Sequence, residues 1–186
     1  MSRSDGTVSE QFLHSILEAF RSQKRMAEKA IAQLPDEELH IPLDANTNSI
    51  CVIMKHMSGN LRSRFTDFLT TDGDKPDRDR DSEFVDEHAT REQIMAHWEG
   101  GWRVLFEALE SLRPDDLTKV VTIRLEPYGV IDALHRSLAH AGYHVGQIVQ
   151  LARYLAKDEW TTLTVPRGGS EAYNRAMREK HGKRGQ

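Results

Sequence analysis

Apolar residues recur at three- and four-residue steps in four long stretches of this chain, and each stretch predicts an amphipathic helix. Phe12, Leu13, Ile16, Leu17, Phe20, Ala27, Ala30, Ile31 and Leu34 mark the first. It opens at a T-x-x-E capping box, Thr7 to Glu10, and ends near Pro35. Ile50, Ile53, Met57, Leu61, Phe65 and Phe68 mark the second, with Ser49 placed to cap it. Ile94, Trp98, Leu105, Leu109 and Leu112 mark the third, behind a T-x-x-Q box at Thr90 to Gln93. Gly100 and Gly101 lie inside it, where glycine weakens a helix and fits a bend or a close neighbour. Ile131, Leu134, Leu138, Ala141, Val145, Ile148, Ala152 and Leu155 mark the fourth.

The segments between them read differently. LPDEELHIPLDANTNS is a loop with two prolines. TTDGDKPDRDRDSE favours neither helix nor strand. Its charged part, residues 70–82, is either a solvated loop or a cover folded over a site or partner. In KVVTIRLEPYGV, Val120 to Ile123 are β-branched and Pro127 to Gly129 signal a turn, which predicts a small β hairpin before the last long helix. A short helix is expected over Glu171 to Lys180, then a frayed end over 182–186. These elements predict an all-α fold, a four-helix bundle with one short hairpin. A single domain is expected over residues 1–186, with a core at about 8–176 and a polar C-terminal tail.

Composition narrows the partners. A net charge of -4 is unsuited to neutralising phosphates, so nucleic acid is not an expected partner. No apolar run approaches the roughly 20 residues of a membrane span. MSRSDGTVSE has no apolar core of a signal peptide, and Cys51 is the single cysteine. Both point to the cytoplasm. Cys51 is expected as core filler.

The nine histidines carry the candidate chemistry. His140 and His144 stand four apart and share a side of the fourth helix. Chance places roughly 0.4 such pairs in a chain of this content, so the spacing alone is weak. Their position adds weight: both sit at the edge of the apolar stripe, beside the small residues Ala139, Ala141 and Gly142. His56 lies at a similar border on the second helix, between Ile53 and Asn60. If those helices are neighbours, three imidazoles converge. Three neutral imidazoles suit a catalytic-type divalent metal site with a remaining position for water or substrate. The alternative is three helix residues each satisfied by a hydrogen bond. Asn60 and Gln147 are candidates to orient ligands. His14, His88 and His97 are expected at the surface, and His40 in a loop.

IMKHMSGNLRSRFTDFLTTDGDKPDRDRDSEF, then HAGYHVGQIVQLAR, then W-x-x-L-x-V-P-x-G-x-S resemble the DinB/YfiT-like metalloenzyme superfamily. The likeness is closest to a bacterial branch labelled a domain of unknown function, and it runs from the first helix to the region of Ser170. It implies a four-helix bundle holding divalent nickel or zinc through His56, His140 and His144. It also implies a homodimer. Trp98 and Trp102 fit core positions; with Gly100 and Gly101 they are also the candidate self-complementary face. Characterised relatives include transferases and isomerases that use low-molecular-weight thiols. The expected function is therefore a metal-dependent transfer of such a thiol to an electrophilic small molecule. A metal-dependent hydrolase and a non-catalytic, metal-binding dimeric stress protein are the alternatives.

Overall fold

The computed structural model describes residues 6–182. Among them are five α-helices and one two-stranded sheet: α1 Val8–Ile31, α2 Ile50–Phe65, α3 Arg91–Ser111, β1 Val120–Ile123, β2 Glu126–Gly129, α4 Val130–Ala156 and α5 Ser170–His181. None of these helices is long and apolar enough to cross a membrane. Of the frayed end expected at 182–186, all but Gly182 lies outside the described residues.

The helix starts follow the local sequence. Thr7 and Thr90 each accept the backbone N–H three residues on, and Glu10 and Gln93 return the bond to the cap. Ser49 accepts the N–H of Val52 and starts α2. Each bond satisfies a donor that a helix end otherwise leaves bare.

Long helices then pair through their apolar stripes. α2 packs mainly on α3 and α1 mainly on α4; α2 also meets α4, and α1 meets α3. Ile16, Phe20, Ala27, Ala30, Ile31, Met54, Met57, Phe65, Leu134 and Ile148 are buried in the shared core. Phe20 meets Trp102 edge to face at 6.4 Å, and Trp102 meets Trp98 at 5.4 Å.

Trp98 and Trp102 thus occupy the expected core positions, both 0% exposed, and are not available as the candidate dimer face. The glycines face inward too. A Cβ on Gly101 would lie 2.7 Å from Ser58 Cα and 2.9 Å from Ser58 O, so only glycine lets α3 come this close to α2. That stretch of α3 packs between α1, through Phe20 and Glu28, and α2, through Ser58.

The hairpin forms, but its turn is not at Pro127–Gly129. Those residues are in β2, paired to β1 in the register Thr122 to Pro127 and Val120 to Gly129. The turn falls at Arg124 and Leu125, with φ of 57° and 64°. Non-glycine residues resist this left-handed conformation. Asp72 compensates: its carboxylate accepts the backbone N–H of Arg124 at 2.9 Å and of Leu125 at 2.8 Å. The bond from Leu125 leads the influences that hold the Asp72 carboxyl down at about 2, followed by one from the Asp74 backbone N–H, with Arg124 adding less. The loop backbone also joins β1, where Gly73 N–H donates to Thr122 O at 2.8 Å.

Candidate metal centre

α2 and α4 meet where His56 faces His140 and His144. One ring nitrogen from each lies within 4.8 Å of the others, so the cluster could hold a metal ion. Ring centroids are 5.3 Å apart for His56 and His140, 4.9 Å for His56 and His144, and 4.5 Å for His140 and His144. His56 and His144 are buried, and His140 is half-buried. The two α4 residues converge because a four-residue step stacks them on one side of the helix.

Partners outside the triad set the rings. Glu83 Oε2 stands 2.9 Å from His56 Nδ1. Arg78 grips the same carboxylate in a fork, Nε on Oε1 at 2.8 Å and Nη2 on Oε2 at 2.8 Å. Burial pushes the Glu83 carboxyl up, but the bonds from His56 and Arg78 prevail and hold it below its ordinary value. An ionised carboxylate only accepts, so His56 Nδ1 donates to it and Nε2 is the nitrogen left facing His140. Gln147 Oε1 plays the same part for His144, accepting from Nδ1 at 2.8 Å, while Gln147 Nε2 donates to Tyr143 Oη at 3.2 Å. Gln147 is thus an orienting residue. Asn60 is not among the hydrogen-bond partners of the three rings.

His56 Nε2 and His140 Nε2 approach to 3.3 Å. Burial, with the neighbouring imidazoles His144 and His56, pushes His140 down to about 3. Burial also lowers His144, against the opposing bond to Gln147. Both rings are therefore neutral near pH 7, the form that ligates metals.

Arg78 comes from the charged stretch at 70–82 expected either in solvent or over a site, and Glu83 directly follows it. Arg78 and Glu83 side chains are each 7% exposed, so this part of the stretch covers the triad. Phe84 follows, its ring 4.7 Å from that of His56. Gly59, on α2, makes room for the carboxylate: a Cβ there would lie 2.1 Å from Glu83 Oε1. Nothing local in the sequence marks this pairing, since Glu83 lies 27 residues from His56.

The remaining histidines do not join the triad. His14, His88 and His97 are exposed, as expected. Cys51 is buried, with burial and the nearby Asp86 carboxylate pushing its thiol up to about 11. A cavity of about 570 Å³ between α1 and α3, among Lys24, Arg62 and Glu99, shares no residue with the triad.

In comparison with known proteins, the family described as "Protein of unknown function (DUF1572)" matches residues 7–169. A search of curated proteins gave no match.

Proposed function

The chain belongs to the DUF1572 family of proteins of unknown function, and we propose that it binds one divalent metal ion, nickel or zinc, through His56, His140 and His144. The reading includes a four-helix bundle of the DinB/YfiT-like superfamily. The pairings α1–α4, α4–α2, α2–α3 and α3–α1 support that arrangement.

The 3.3 Å approach of the two Nε2 atoms carries the metal assignment. Glu83 commits His56 Nδ1 as donor and leaves Nε2 facing its neighbour. Gln147 does the same for His144. Ligating histidines characteristically donate their other ring N–H to a carboxylate or carbonyl oxygen, as both do here.

The proposed activity is transfer of a low-molecular-weight thiol to an electrophilic small molecule in the cytoplasm. A bound divalent ion would supply the Lewis acidity that favours the thiolate at neutral pH. The protein's own thiol is unsuited to that role: Cys51 is 4% exposed and its pKa is raised to about 11. In this scheme Glu83 and Gln147 hold two rings in place. Half-buried His140 marks the side from which small molecules arrive. The resemblance also carries the homodimer, through a surface other than the buried tryptophans.

Cobalt substitution tests the activity without an assay. Adding a small cellular thiol at millimolar levels to the cobalt protein should produce a sulfur-to-metal charge-transfer band, absent from His56→Ala. No spectral change with any common low-molecular-weight thiol would remove the transferase.

A further inference from the structure

A second group of metal-ligating side chains lies outside the triad. His40, in the 3-10 turn Asp36–His40, faces Asp86 and His88 from the segment leading to α3. One ligand atom from each lies within 4.8 Å of the others. We propose that His40, Asp86 and His88 form a second, more open site for a first-row transition-metal dication.

His40 Nδ1 stands 2.9 Å from both carboxylate oxygens of Asp86. A simple ion pair would need only those two residues. His88 is brought in as well: Asp86 Oδ1 accepts its backbone N–H at 2.8 Å, and the ring lies 5.4 Å from that of His40. His88 adopts a φ of 53°, in the left-handed region that non-glycine residues avoid. Such conformations are strained and cluster at ligand clamps.

Two imidazoles and a carboxylate favour zinc, nickel, copper or iron over calcium or magnesium, which prefer oxygen ligands. His88 is exposed, so solvent can complete the coordination shell. A cavity of about 420 Å³ bordered by Cys51, Lys55, His88 and His97 opens beside it. The site does not depend on the triad: it shares no ligand with it and has its own carboxylate.

The test is a zinc titration of the full, untagged, metal-stripped chain against a chromophoric chelator. Wild type should take up two equivalents, and the His140→Ala/His144→Ala double variant should retain one of them. His88→Asn removes the imidazole but keeps a residue that tolerates a left-handed backbone. It should weaken the His40–Asp86–His88 equivalent by at least about tenfold, given that even outer-shell changes cost metal sites 10–100-fold. A single equivalent that disappears with His140 and His144 would overturn the second site and leave the triad standing. An unchanged second equivalent in His88→Asn would overturn it too.

Discussion

Glu83 Oε2 and His56 Nδ1 stand 2.9 Å apart, a contact made across 27 residues of sequence. It joins the charged segment before α3 to the imidazole that α2 contributes to the triad. The arginine fork on the same carboxylate makes a chain of three residues, Arg78 to Glu83 to His56, each constraining the next.

The first prediction concerns that chain. Glu83→Gln keeps the shape of the acceptor but removes its charge, and should lower metal affinity about 10–100-fold. Gly59→Ala should act in the same direction, because its Cβ would displace a carboxylate pinned from two sides. Competition with a chromophoric chelator measures both. Affinities within a factor of two of wild type would show that Glu83 does not tune the site.

The second concerns pH. Burial, above all, lowers His140 to about 3, and it lowers His144 as well. Their folded values lie below the unfolded value of about 6.5. Between roughly pH 6.5 and pH 3 the unfolded chain therefore binds more protons than the folded one, and stability falls as pH is lowered. Metal-stripped wild type should lose melting temperature from about pH 7 to pH 5, and His140→Ala/His144→Ala should lose less. Equal slopes for the two proteins would contradict burial of neutral imidazoles.

The third concerns the α2–α3 contact. Gly101→Ala sets a methyl against the Ser58 backbone, which cannot swing aside like a side-chain end. Overpacking of this kind typically costs about 1–3 kcal/mol. A urea midpoint unchanged from wild type would show that the helices separate freely there.

The fourth concerns the hairpin turn. Asp72→Ala removes the acceptor of the Arg124 and Leu125 backbone bonds and leaves two left-handed residues unsupported. A loss of about 1–3 kcal/mol in chemical denaturation is expected. A substitution without effect would mean that the turn stands on its strand pairing alone.

What the sequence made legible was mostly local. Both capping boxes lie within four residues, and the apolar periods run along single helices, so α1 to α4 could be read directly. His140 and His144 share a helix side by spacing, and Gln147 reaches His144 from three residues away. His56 joins them only through the meeting of α2 with α4, for which the family resemblance was the guide. Glu83, Arg78 and Asp72 were not legible as partners. Each acts from a stretch whose charge density also fits a solvated loop, and the contact that decides its role is made by tertiary folding. Trp98 and Trp102 fit core positions by period, and both are buried. The hairpin turn falls away from its glycine because Asp72, 52 residues before Arg124, supports a turn with no glycine in it.

Metal binding by the triad is checked by anomalous diffraction from crystals of the untagged protein, collected on either side of the bound metal's absorption edge. One strong peak is expected at about 2.0–2.1 Å from a ring nitrogen of each of His56, His140 and His144. Crystals grown with saturating nickel or zinc that show no peak there, with His140 Nε2–H donating to His56 Nε2 instead, would contradict it.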